Sequence, residues 1–222
     1  MMRIRSHMIM IVAVFMIYAG ASVTTTVVQA STRLQYAELC AQEIAEIQPF
    51  SCMDGVEIPI TVNGKTPTEY TPKMTCDRPA LLDNNLGGFT SDGQCVPHSR
   101  ILNQSKGHLQ ISIMCRQKKI RSADDTQFDE IDIITHNANT GATCWFQAKS
   151  SDHTPISGKD VPSPQDPDRA TFWESPKTVK EEACGNCHDN DPFMYSPFIG
   201  QVWQHVPTNP FGRYYHVDGG FG

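Results

Sequence analysis

Eight cysteines in 222 residues constrain this chain more than any other feature. Six of them, Cys40, Cys52, Cys76, Cys95, Cys115 and Cys144, are spread over the first two thirds, while Cys184 and Cys187 stand three positions apart near the end. Such cysteine usage predicts an oxidising compartment. The first thirty residues agree with it. Arg3 and Arg5 precede an apolar run from Met8 to Tyr18 and on to Val23, and the small-residue stretch Val28-Gln29-Ala30 follows. This is the pattern of an export signal cut after Ala30, and it predicts a periplasmic or extracellular protein that begins at Ser31. Left uncut, the segment with Thr24 to Val28 added approaches a membrane-spanning length, and membrane contact is expected only then. Three consecutive threonines, with no basic stop signal after them, favour cleavage.

Loss of Arg3 and Arg5 lowers Lys plus Arg from 18 to 16 against 24 acidic residues, a net charge of −8. That balance argues against a nucleic-acid partner. A hydrophobic content of 39% predicts a folded chain. The six dispersed cysteines are an even set and predict three disulfides, with every pairing formally open. Ease of short-loop closure selects the sequential set, Cys40–Cys52, Cys76–Cys95 and Cys115–Cys144.

Ser31 or Thr32 can cap a helix in which Ala37, Cys40, Ile44 and Ile47 recur at helical spacing, ending before Pro49. Val56 to Val62 reads as a short β run closed by the turn Asn63-Gly64. From Tyr70 to Arg100 proline, glycine and short polar residues dominate, which predicts loop held by cross-links. Leu109, Ile111, Ile113 and Cys115 alternate strictly and so share one face of a strand. Ile131 and Ile133 alternate likewise before the turn Asn137-Ala138-Asn139-Thr140-Gly141, and Thr143 to Phe146 returns the chain as a hairpin. On this reading Cys115 and Cys144 lie on neighbouring strands. Asn103-Gln104-Ser105 matches a glycosylation sequon, relevant only in a eukaryotic secretory pathway. Pro155, Pro162, Pro164 and Pro167 mark residues 151–174 as a linker or long surface loop. Ser175-Pro176 then supplies an N-cap with proline at the first helical position. The expected fold is α+β: a disulfide-linked, mainly β region over 31–150, that linker, and a small helical segment over 175–222.

The helix from Pro176 delivers Cys184-Gly185-Asn186-Cys187-His188. Two thiols three apart with an imidazole directly after them match the spacing at which a haem is attached by two thioethers while the histidine binds its iron. The same five residues can also carry a plain disulfide, half of a zinc site or a thiol-exchange pair. No internal repeat and no second such cluster accompany it. No Ser-His-Asp nucleophile motif, phosphate-binding glycine loop or zinc-protease helix is present. Asp189-Asn190-Asp191 lacks the glycine and glutamate of a calcium loop.

Cys184 to His188, with the helix before them, resemble the attachment site of c-type cytochromes. The resemblance implies one covalent haem c on Cys184 and Cys187, His188 as proximal iron ligand, and electron transfer with a redox partner protein rather than catalysis. It reaches no further than about residues 175–205. Glu181, Glu182, Asp189 and Asp191 give either an acidic rim for a partner with a basic docking face or an ordinary solvated surface. For the sixth iron position, Met194 is six residues from His188, a span of at most ~21 Å, whereas His205 and His216 reach more easily; His205 ranks first, and an open iron stays possible. The run Phe193, Tyr195, Phe198, Ile199, Val202 and Trp203, with Phe172 and Trp173 upstream, can wall a cofactor or build a small core. A carbonyl near Pro192 or Pro197 is expected to accept a hydrogen bond from His188. The end, Gly219-Gly220-Phe221-Gly222, leaves a truncated or abbreviated domain open. The alternatives are a secreted, disulfide-stapled binding or structural module without haem, and a haem enzyme with an open iron site.

Overall fold

Strict alternation makes the centre of the molecule. The computed structural model describes residues 32–71, 74–79, 95–150, 154–186, 188, 191–193 and 195–207. The expected export signal over residues 1–30, Ser31, Cys187, Asp189-Asn190, Met194, His216 and the glycine-rich end lie outside them. Seven strands are present among the described residues: β1 (Val56–Glu57), β2 (Arg100–Asn103), β3 (Leu109–Arg116), β4 (Gln127–Phe128), β5 (Glu130–Asn137), β6 (Thr143–Lys149) and β7 (Ile156–Ser157). Five of them form an antiparallel sheet in the order β1-β2-β3-β5-β6, and β4 pairs with β7. With α1 over residues 32–43 and α2 (Pro176–Glu181) the fold is α+β and mostly β.

Both faces of the sheet are covered. Ile111, Ile113, Cys115, Ile131, Ile133, Phe146 and Ala148 point to the first face and meet Ala37, Cys40, Ile44 and Ile47 from α1 and the chain after it. The helix stops at residue 43, short of the end expected before Pro49, but the stripe at three- and four-residue spacing is buried across it and the chain that follows. Ile101, Met114 and Ile134 point to the second face, where Ile58, Ile60, Phe193, Tyr195, Phe198 and Val202 pack on them. Burial on two sides explains why Gln110 and Ser112 of β3 are buried although they sit between its apolar residues.

The aromatic run is mostly core. Phe193, Tyr195 and Phe198 are 3% exposed or less, Trp173 belongs to the first core, and Trp203 stands 41% exposed. Residues 154–174 also behave differently from a linker. Ile156–Ser157 pairs with Gln127–Phe128, Val161 bridges Phe50, Val161 and Trp173 fill the first core, and Ala170 is buried. The prolines interrupt regular structure without lifting the chain off the body.

The disulfides are Cys40–Cys144, Cys52–Cys115 and Cys76–Cys95. Only the last follows the sequential expectation. β5 lies between β3 and β6, so Cys115 faces Ile131 and Cys144 faces Thr135, and the two cysteines cannot meet. Each instead bonds to the N-terminal segment over the first face. The three bridges are nested, and they place the protein in an oxidising environment. Among the described residues no helix is long and apolar enough to cross a membrane.

Turn chemistry follows the sequence closely. Asn63 and Gly64 both take positive φ, 52° and 73°, and Val62 and Lys65 exchange two backbone hydrogen bonds across them. At α2, Ser175 accepts from the Thr178 amide and Pro176 occupies the first turn. The helix ends where Ala183 turns left-handed, φ 53°, and the chain re-enters a 3-10 turn at Cys184–Asn186.

Candidate functional site

The residues on the second face of β5 and β6 alternate with the core residues of the first. Asp132, Ile134 and His136 therefore share a side with Gln147, Trp145 and Thr143, which are their cross-strand partners. The C-terminal segment lies across this side, and between the two is a cleft of about 310 Å³ lined by His136, Thr143, Trp145, His188, Asp191 and Pro192, with Gly141 at its edge. That volume lies at the small end of the range for ligand sites.

His188 enters the cleft by local geometry. Its amide donates to the Cys184 carbonyl at 3.0 Å, closing one helical turn that sets Cys184 and His188 one above the other. Its Nδ1 lies 2.7 Å from the Pro192 carbonyl. A carbonyl oxygen only accepts, so Nδ1 carries the proton and Nε2 of the neutral ring carries the lone pair. The ring also packs edge-on against Trp145, with centroids 5.0 Å apart. The carbonyl partner expected near Pro192 is thus present.

Cys184 is half-buried and carries a free thiol. Burial pushes that thiol up, and the nearby Asp132 carboxyl adds to the shift. It is accordingly a poor thiolate source, unlike the activated cysteine of an exchange site. Asp132 accepts from Gln147 at 2.9 Å. Burial and the neighbouring Glu130 carboxylate push its carboxyl up to about 8. Burial works the same way on Glu130, but the Arg116 guanidinium and the Lys118 ammonium outweigh it and hold that carboxyl down to about 2.

His136 is a site residue that the sequence reading passed over. Its Nδ1 lies 2.9 Å from Thr143 Oγ1, and that hydroxyl donates to the Gly141 carbonyl. Burial pushes the imidazole down, partly offset by the Asp191 carboxylate and the Ala142 carbonyl. Asp191 is buried and accepts from the Phe193 amide at 2.7 Å. Among the described residues no group of three or more His, Cys, Asp or Glu side chains is arranged to hold a metal ion.

The other expectations fall elsewhere. His205 is exposed at the end of the 3-10 helix Ile199–His205, whose buried residue is Val202, and it does not line the cleft. The acidic residues before the motif are partly neutralised, Glu182 by Lys149 at 2.5 Å and Glu181 by Lys177 at 3.9 Å. The signal for His136 was present in the alternation Asp132, Ile134, His136, opposite in phase to Ile131 and Ile133. Comparison of the chain with known families, with curated proteins and with solved structures finds no match.

Proposed function

We propose that the exported chain binds one haem covalently through Cys184 and Cys187, with His188 as iron ligand, and works in electron transfer with a partner protein. The observation that carries this is the state of His188. Its Nδ1 proton is committed to the Pro192 carbonyl, its ring belongs to a cleft wall, and it sits one turn from a thiol that forms no disulfide. An outer partner on the far nitrogen is how proteins orient a metal-binding imidazole and raise its basicity.

Two thiols and an imidazole are the donor types that such a group takes. A haem held there supplies a one-electron couple. The chain's own part is to fix the tautomer of His188 through Pro192 and to buttress the ring with Trp145. Burial, with the Asp132 carboxyl beside it, pushes the Cys184 thiol up. The raised thiol also speaks against thiol-disulfide exchange at this cluster.

A haem-free secreted module is the competing reading, favoured by one observation. Two cores and three disulfides among the described residues are complete without a cofactor. Expression with a cytochrome maturation system separates the two. A reduced-minus-oxidised α band that survives denaturation, lost in Cys184→Ala and Cys187→Ala, is the expected result; its absence leaves the haem-free module.

A further inference from the structure

We infer that the segment from α2 to Cys184 is an acid-tightened latch over the sheet, closed while the Glu130–Asp132 carboxyl pair holds a proton and lifted at Ala183 when that proton leaves. The device is independent of what the cleft holds. Glu130 and Asp132 stand two apart on β5 and share its second face. Their carboxyls are hydrogen-bonded to each other. Two carboxylates cannot make that bond, because each only accepts, so one of the pair carries a proton and donates it. The surrounding cations decide which one. Arg116 Nε lies 3.3 Å from Glu130 Oε1 and Lys118 Nζ lies 2.7 Å from Glu130 Oε2, which makes Glu130 the charged member. Asp132 is the protonated one, and Gln147 donates to it at 2.9 Å.

The cover over the pair is the weaker of its two walls. Beside Asp132 in the sheet are Met114 of β3 and Gln147 of β6, and the Cys184 thiol interacts with it from the cover. The charged and titratable groups around it are Glu130 on its own strand, Arg116 on β3, Cys184, and the Lys149 and Glu182 that flank Cys184. Arg116 is committed to Glu130, and Lys149 to Glu182 at 2.5 Å. An ionised Asp132 therefore sets a second carboxylate against Glu130, and water has to reach the pair to relieve it. The sheet resists opening, because its ladders and the bridges Cys40–Cys144 and Cys52–Cys115 tie it together. The cover is a six-residue helix whose buried residue is Val179, followed by the left-handed Ala183, φ 53°. A strained alanine at that junction is where the chain yields first. The His188 amide donates to the Cys184 carbonyl, so one wall of the cleft moves with the latch.

The sign follows from linkage. With the latch closed Asp132 keeps its proton up to about 8, and in the lifted, solvated form it releases it near its ordinary 3.8. Opening therefore grows easier as pH rises between those values, by at most about tenfold per pH unit, and levels off above them. Glu130, held down to about 2, adds the opposite trend only below its ordinary 4.5.

Hydrogen exchange of the full chain, read by mass spectrometry and corrected for the intrinsic pH dependence of exchange, tests the latch. The reporters are the amides of Val179, Glu182, Ala183 and His188, each bonded to a backbone carbonyl four or three residues back. Their protection should fall at least about tenfold between pH 5 and pH 8, while the amides of β3 and β5 keep theirs. Asp132→Asn preserves the shape and donates to Glu130 without a titrating proton; its α2 protection should be flat over that window, and its β3 and β5 protection shows in the same data that it is folded. Glu130→Gln removes the like charge and should lower the upper end of the window. An equal fall in Asp132→Asn, no fall in the wild type, or a fall shared by β3 and β5 overturns the latch.

Discussion

Opening the outermost disulfide tests the nested connectivity, because its worth depends on the bridges inside it. Cys40 and Cys144 are 104 residues apart, and Cys52–Cys115 short-circuits 63 of these. With the middle bridge closed, the outer one fastens a circuit of about 41 residues; for loops of that size chain entropy assigns a disulfide about 4 kcal/mol. Cys40→Ala with Cys144→Ala, made together so that no thiol is left, should therefore lose about 4 kcal/mol in urea unfolding under non-reducing conditions. If Cys52 and Cys115 are first replaced, the outer circuit lengthens to about 85 residues, roughly double. Each doubling adds about 0.6 kcal/mol, so the outer bridge should then be worth about 0.6 kcal/mol more. A cycle of the two double variants measures this coupling. Sequentially paired bridges would close separate loops and show none. Additive losses in the cycle, or a non-reduced digest that links Cys115 to Cys144, would refute the nested pairing.

Four further outcomes follow from particular residues. Asp132 holds a proton in the folded chain between its ordinary 3.8 and about 8, where the unfolded chain has released it, so the carboxyl's contribution to stability falls as pH rises through that window. Asp132→Asn should flatten the slope of urea midpoint against pH there; Glu130, held down to about 2, adds an opposite slope only below its ordinary 4.5. Gly158→Ala would set a Cβ 2.5 Å from the Phe128 ring and 2.9 Å from Cys52 Cβ, and calorimetry should show a loss of about 1–3 kcal/mol from overpacking. Ala183→Gly relieves a left-handed alanine between α2 and Cys184 and should stabilise the fold by about 1 kcal/mol in the same assay. Thr143→Val removes the Oγ1 partner 2.9 Å from His136 Nδ1 and should cost about 1 kcal/mol in the same assay.

Much of the fold was legible where a period repeats. The stripe Ala37, Cys40, Ile44, Ile47 and the alternations in β3 and β5 each required one buried face, and each has it. The pairing of cysteines was not legible, since it depends on strand order: β5 inserted between β3 and β6 separates Cys115 from Cys144 by a whole strand. Residues 151–174 misled through composition. Val161, Ala170 and Trp173 are anchors spaced singly among prolines, and isolated anchors have no period to betray them. For the site, Cys184 and His188 stood out because their spacing is itself the signal. His136, Thr143 and Trp145 did not, because a strand's second face reads as solvent-facing until something is known to cover it. Here the cover is the segment that carries the motif, and only its docking turns three ordinary strand residues into one wall of a cleft.

Intact mass of the exported protein, made in a host that installs covalent haem and recorded after denaturation, tests the central claim most directly. A gain equal to one haem, abolished when both Cys184 and Cys187 are replaced by alanine, is the predicted result. The bare polypeptide mass, with the three nested disulfides formed and no absorbance from a bound porphyrin, would contradict it.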